Sequence, residues 1–220
     1  MRDYNKIEEY MLECMRDSAH DREHIYRVLY TALDIAESDA DLEILTAACL
    51  LHDIGRPEQF ANPKLCHAEV GSRKAYEFLI GIGWTEKRAA HVRDCVYTHR
   101  FRSDNPPRSI EAKILFDADK IDVSGAIGMA RSLMYKGAVG EPLYTLNSDG
   151  TISDGSNTDE PSLFREYHFK LKNVYGKFFT ERGREIALSR QKAAEDFYNA
   201  LLSEVKGSEK RGRDRLKKLR

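Results

Sequence analysis

The chain of 220 residues contains no apolar run approaching the roughly 20 residues that span a bilayer. Its opening residues, Met1-Arg2-Asp3-Tyr4, lack a signal-peptide hydrophobic region. Both absences lead to the expectation of a cytoplasmic protein without a membrane partner. Cysteine is sparse. Cys14, Cys49, Cys66 and Cys95 show no C-x-x-C spacing, which argues against a disulfide framework or a zinc knuckle and for reduced, mostly buried thiols. The formal net charge is only −1, so the whole chain gives no general argument for nucleic acid as a partner. No internal repeat period is visible.

Hydrophobic residues make up 41% and charged residues 32%, the balance of an ordinary globular protein, and the length favours one domain over two. Apolar positions recur at helical spacing through most of the chain. The pattern is clear in Ile25, Val28, Leu29, Ala32 and Ala36, in Leu42, Leu45 and Cys49, and in Val92, Cys95, Val96 and His99. The stretch Ser38-Asp39-Ala40-Asp41 offers N-cap candidates for one helix, and Thr85 and Ser109 are placed to cap two others. The segment Arg56–Leu65, with Pro57 and Pro63, reads as a loop, and Gly81 with Gly83 closes the helix that follows it. Turn signals crowd residues 140–161, which read as an irregular or short-hairpin excursion. Two helices follow, marked by Phe164 to Phe178 and by Ile186 to Val205. Residues 206–220 carry eight Lys or Arg against Glu209 and Asp214. The expectation is an all-α protein with one domain over residues 1–205 and a basic C-terminal tail over 206–220.

One stretch stands out chemically. Cys49-Leu50-Leu51-His52-Asp53-Ile54-Gly55 runs an apolar segment into an imidazole and a carboxylate. Such groups are costly beside a core unless something pairs with them, and a divalent cation satisfies both. His24 on an earlier helix and Asp119 on a later one would complete two imidazoles and two carboxylates around one point. That donor set suits a hard or borderline cation with coordination positions left open.

The pattern His24 … His52-Asp53 … Asp119 resembles the HD-domain superfamily of metal-dependent phosphohydrolases, whose signature is H … HD … D on a helical bundle. Around the ligands, His20-Asp21-Arg22-Glu23-His24-Ile25-Tyr26-Arg27-Val28 is similar to the family's first motif and Ala48 to Gly55 to its second. Asp117-Ala118-Asp119-Lys120-Ile121-Asp122, with Gly125-Ala126-Ile127-Gly128 and Arg131, is similar to the third motif of small stand-alone bacterial HD hydrolases, some of which are nucleoside triphosphate pyrophosphohydrolases. The resemblance implies a helical HD bundle and a metal held by His24, His52, Asp53 and Asp119. Among Mn, Mg, Fe, Ni, Co and Zn, manganese or magnesium is expected. It also implies a phosphorylated small molecule, a nucleotide first, as substrate.

Departures from other branches narrow the choice. Enzymes that hydrolyse (p)ppGpp carry Glu-Asp where this chain has Arg56-Pro57, and the Gly-Tyr-Pro of cyclic-di-GMP phosphodiesterases is missing after His99. His67 and His99 sit where two-metal HD enzymes place further ligands, so a second ion bridged by Asp53 and a role in contacting substrate both stay open. Lys120, beside Asp119, and Arg27, one turn after His24, are placed to offset phosphoryl charge, with Arg100 and Lys136 as weaker candidates. Asp122, one turn from Asp119, would orient Lys120 or a ligand. Tyr26, Phe60, Phe101, Tyr135 and Tyr144 are candidates to stack a base. His52, Asp53 and Lys120 form the expected catalytic set. A metal at this point lowers the pKa of water towards ~7, and a triphosphate would then yield a monophosphate and pyrophosphate.

Alternatives remain. The same ligands would serve a nucleotide monophosphatase or phosphodiesterase. A zincin-like reading of His20 and His24 fails because Asp21 stands where that motif needs Glu. An inert HD regulator could bind nucleic acid through the basic tail, although the tail is read as a solvated segment and nucleic acid is not expected as a partner. A homo-oligomer is compatible with the sequence.

Overall fold

The computed structural model describes residues 2–15, 22–100 and 105–219. His20, Asp21 and Phe101 lie outside the described residues. The chain forms two compact units, Met1–Asp122 with Phe179–Gly183, and Val123–Phe178 with Arg184–Arg220. The fold is all-α, and among the described residues no strand occurs beyond one isolated antiparallel bridge. No described helix is long and apolar enough to cross a membrane.

The first unit holds α1 (Tyr4–Cys14), α2 (Arg22–Ile35), α3 (Leu42–Leu51), α4 (Arg56–Ala61), α5 (His67–Gly81), α6 (Glu86–Thr98) and α7 (Ile110–Ile121). The centre is α3. Its sequence LEILTAACLL is apolar on nearly every side, and a helix of that kind has to be surrounded. Accordingly Ile44, Leu45 and Ala47 to Leu51 are buried, and α1, α2, α6 and α7 pack around it. Side-chain caps fix where three helices begin: Asp41 accepts from the Glu43 and Ile44 amides at 3.0 and 3.1 Å, Thr85 caps α6, and Ser109 caps α7. Gly83, at φ 92°, ends α5 in the left-handed conformation that glycine adopts without penalty. The stretch expected to be a loop after Gly55 contains the short helix α4, started by Pro57 in its first turn.

In the second unit, α8 (Gly125–Ala138) is followed by the excursion expected from the turn signals. There Leu146 and Ile152 bridge across a tight turn at Asn147–Gly150. α9 (Leu163–Phe169) and a 3₁₀ turn (Leu171–Gly176) replace the single helix expected from Phe164 to Phe178. The break falls at Lys170, whose backbone leaves the helical region at φ −126°. The last helix, α10 (Glu181–Lys217), enters this unit at residue 184 and carries the basic residues on its exposed final turns. The core of the unit is Met129, Ile152, Phe164, Tyr167, Leu171, Ala194 and Tyr198. Tyr167 and Tyr198 stack at 4.0 Å between ring centres, and Tyr198 donates its hydroxyl to the Asp154 carbonyl at 2.7 Å, so its polar tip is satisfied.

Candidate metal centre

Because the C-terminal half of α3, Ala47 to Leu51, is fully buried, the residues that follow it emerge inside the protein. His52 and Asp53 are 0% and 1% exposed. A buried helix end leaves carbonyls that need donors. The His52 ring meets one of them, giving Nδ1–H to the Cys49 carbonyl at 2.7 Å. The end of α6 repeats the arrangement: His99 gives Nδ1–H to the Val96 carbonyl at 2.6 Å. The other two imidazoles come from α5 and α2. His67 faces the Gln59 Oε1 at 2.8 Å, and Gln59 is oriented by its own Nε2 donating to the Leu65 carbonyl at 3.0 Å. His24 Nδ1 meets Asp122 Oδ2 at 2.7 Å, while Arg27 clamps Asp122 through Nε and Nη2 at 2.7 and 3.1 Å.

An acceptor therefore occupies Nδ1 of each ring, which assigns the proton there and directs Nε2 inward. Burial lowers the pKa of His52 to about 4 and that of His67 to about 2, so both are neutral near pH 7 with bare inward lone pairs. Burial opposes ionisation of Asp53, yet Arg56 and the surrounding imidazoles outweigh it and hold the carboxyl well below the usual carboxylate range. The Arg56 Nε donates to Asp53 Oδ1 at 2.9 Å.

The inward atoms form two groups, each able to hold a metal ion: His24 with His52 and Asp119, and Asp53 with His67 and His99. In the first, the two Nε2 atoms are 3.3 Å apart and Asp119 Oδ1 is 3.3 Å from His24 Nε2. In the second, the two Nε2 atoms are 3.2 Å apart, and Asp53 Oδ1 lies 3.4 Å from His67 and 3.6 Å from His99. Ligand bonds of about 2.1 Å at right or tetrahedral angles put donor atoms roughly 3.0–3.4 Å apart. The other oxygen, Asp53 Oδ2, lies 3.7 Å from His24 and 3.8 Å from His52, is buried, and has no hydrogen-bond partner. Asp53 thus turns one oxygen to each group. A buried acceptor left unpaired costs about 1–3 kcal/mol or more when charged, and with its proton on Nδ1 His24 has none to give Asp119, Asp53 or His52. A divalent cation can satisfy them together, so the residues fit a metal.

Metal-free protein is expected to lose stability steadily as pH falls from about 6.5 to about 4. An unfolded histidine takes up its proton near 6.5, whereas His52 resists until about 4. Across that window the unfolded state binds more protons, so acid favours it. Thermal unfolding in chelator at several pH values checks this, and a midpoint unchanged between pH 7 and pH 4 would contradict it.

The structure thus brings together His24, His52, Asp53, Asp119, His67, His99, Arg27 and Asp122. Lys120 lies at the end of α7 with its Nζ 4.8 Å from the Phe116 ring centre. Arg100 Nη1 is 3.4 Å from His67 Nδ1. Lys136 belongs to the second unit, where it pairs with Glu141 and faces Glu166. Sequence reasoning passed over Gln59 and left Arg56 without a role. The one available signal was their spacing from Asp53 along a short helix that the prolines disguised as a loop.

The HD domain family profile matches residues 22–124, the segment from the start of α2 to just beyond α7. YpgQ of Bacillus subtilis (strain 168) is 31% identical over 195 residues, covering 86% of each chain. The chain belongs to the HD-domain superfamily. HD domains bind divalent metals, in keeping with the two His/Asp groups here. The crystal structure of Bacillus subtilis YpgQ in complex with ADP superimposes with a TM-score of 0.71 at 27% identity, covering 93% of this chain and 98% of that one. A predicted HD-superfamily hydrolase from an uncultured Thermotogales bacterium is also 27% identical, with a TM-score of 0.62 and 92% of each chain covered. This HD protein therefore has the fold of the HD-superfamily hydrolases.

Proposed function

We propose that the protein is a metal-dependent phosphohydrolase that cleaves a phosphoanhydride or phosphoester bond of a nucleotide, foremost a (deoxy)nucleoside triphosphate to monophosphate and pyrophosphate. The observation that carries this reading is the Asp53 carboxylate, buried between two groups of inward-facing ligand atoms with one oxygen towards each. In the proposal His24, His52, Asp53 and Asp119 hold one divalent cation, and Asp53, His67 and His99 hold a second. A neutral imidazole with a bare Nε2 has no proton to donate to a phosphate oxygen, which favours a cation over direct phosphate contact at His67. Such cations supply Lewis acidity towards phosphoryl oxygens and lower the pKa of water. The chain's own part is to keep His52 and His67 unprotonated, to hold His24 through Asp122 and Arg27, and to bring positive charge to the phosphoryl oxygens from Lys120. That YpgQ forms a complex with ADP supports a nucleotide as the ligand of this chain as well.

The test is a screen of nucleoside mono-, di- and triphosphates with several divalent metals, scoring pyrophosphate and inorganic phosphate separately. Metal-dependent pyrophosphate release is the expected result. Phosphate release from monophosphates alone would favour the monophosphatase alternative, and no hydrolysis with any pair would refute the proposal.

Asp122 offers a graded check. Asp122→Ala removes the acceptor from His24 and is expected to weaken Mn²⁺ binding by about 10- to 100-fold, the usual consequence of losing the partner that orients a ligand. Asp122→Asn keeps an acceptor oxygen and should lose less. Isothermal titration of Mn²⁺ into each variant separates the two, and equal losses would argue against an orienting role.

A further inference from the structure

α4 is six residues long and buries none of its side chains, so neither propensity nor a hydrophobic face accounts for its placement. Polar contacts fasten it instead. Arg56 donates Nε to Asp53 at 2.9 Å, Glu58 is tied to Lys74 at 2.7 Å, and Gln59 joins His67 to the Leu65 carbonyl. Two features remain unused. The Arg56 side chain is 27% exposed, and among the described residues its Nη1 and Nη2 reach no acceptor. Phe60 is 76% exposed, the most open aromatic side chain among the described residues, and its ring touches no other. Arg56 and Phe60 are four residues apart, so they share a face of α4 with about 5–6 Å between their Cβ atoms.

We infer that α4 is the element that recognises the nucleotide, with Arg56 taking a phosphate through its free Nη pair and Phe60, one turn further on, stacking the base. The inference rests on the proposed nucleotide substrate and names how this same site selects it. With Nε held by Asp53, the guanidinium is fixed in orientation and keeps two parallel donors for a phosphate, the fork that suits planar anion recognition. Lys74 holds the Glu58 carboxylate, the one acidic group on α4, and offsets its charge. A ring left in water forgoes the stabilisation of burial, and a base laid against it recovers that.

Binding rather than turnover provides the test, with ADP and inorganic pyrophosphate titrated calorimetrically into the Mn²⁺-loaded full chain. Phe60→Ala is expected to weaken ADP roughly tenfold, as loss of one stacked base does, and to leave pyrophosphate within twofold of wild type. Phe60→Trp should retain ADP. Arg56→Ala should weaken both ligands by roughly tenfold or more, and Arg56→Lys should recover only part of that. Metal content measured on each preparation shows whether Asp53 still holds its cation once Arg56 is gone. Phe60 is exposed and outside the core, so its variants keep the test decisive even if the Arg56 variants are impaired. Unchanged ADP binding in Phe60→Ala, equal loss of ADP and pyrophosphate in that variant, or a wild type that binds neither would overturn the inference. A wild type that shows the expected binding pattern but hydrolyses no nucleotide would uphold the recognition element and refute the hydrolase reading.

Discussion

Asp53→Ala is expected to abolish metal-supported hydrolysis, with a fall of at least about 10³-fold, or ~4 kcal/mol of transition-state stabilisation, while the protein stays helical. The size follows from position. Asp53 presents Oδ1 to His67 and His99 at 3.4 and 3.6 Å and Oδ2 to His24 and His52 at 3.7 and 3.8 Å, so one substitution strips a ligand from both proposed cations. It also frees Arg56 from its 2.9 Å contact. The helical signal should survive because the helices are held by the apolar core around α3, while loss of the Arg56 contact lowers the melting temperature. Steady-state kinetics with Mn²⁺, together with circular dichroism, measures both halves. Activity within tenfold of wild type would show that Asp53 does not hold the reacting cation. Loss of the helical signal would instead assign Asp53 a structural role.

Gly55→Ala is expected to be the most damaging of the small substitutions near the site, at roughly 3 kcal/mol or more. Gly55 lies between Asp53 and Arg56, where the chain turns from α3 into α4. A Cβ there would collide with the His67 carbonyl oxygen and come within 2.6 Å of the Gly71 amide nitrogen. Both obstacles are backbone, so relief requires α5 to move away, and α5 carries His67. The φ of −92° would suit alanine, which makes the penalty one of space rather than conformation. Gly71 contributes to the same close approach, since its own Cβ would lie 3.3 Å from the Gly55 nitrogen. For a chain of this size about 3 kcal/mol corresponds to a fall in melting temperature of about 6–12 °C. Differential scanning calorimetry checks it. Loss of His67 from its group should accompany the fall, seen as weaker binding of the second Mn²⁺. A midpoint within 2 °C of wild type would mean that α5 gives way at little cost.

The apolar run Cys49-Leu50-Leu51 made legible that His52 and Asp53 end a buried segment, whereas the place of α3 at the centre depends on the helices packed around it. His99 was reached by its phase on an apolar helix, His24 and Asp119 by completing the donor set and the HD motif, and His67 by the likeness to two-metal HD enzymes. Their grouping into His24, His52 and Asp119 and into Asp53, His67 and His99 followed from the resemblance to HD enzymes and not from spacing. Spacing says that a histidine faces inward, but not which other histidine it meets, and the pairs His24–His52 and His67–His99 depend on how α2, α5 and α6 pack against α3. α4 was missed because Pro57 and Pro63 signal a loop while its stabilising contacts are polar bonds to neighbouring segments. The halt of α9 at Lys170 and the continuation of α10 through Lys217 escaped for related reasons. Helix continuity over Tyr167 to Val174 is broken by local backbone geometry, and a run of Lys and Arg has good helical propensity whatever its exposure. Arg27, placed by spacing near the ion, meets Asp122 through two bonds, and Arg56 keeps Nη1 and Nη2 without an acceptor among the described residues.

The central claim is that Asp53 stands between two cations, and anomalous scattering from crystals grown with Mn²⁺ tests it most directly. Two peaks are predicted, one beside His24, His52 and Asp119 and the other beside His67 and His99, with the Asp53 carboxylate between them. Crystals of protein that hydrolyses nucleotides but shows only one of the two peaks, or neither, would contradict it.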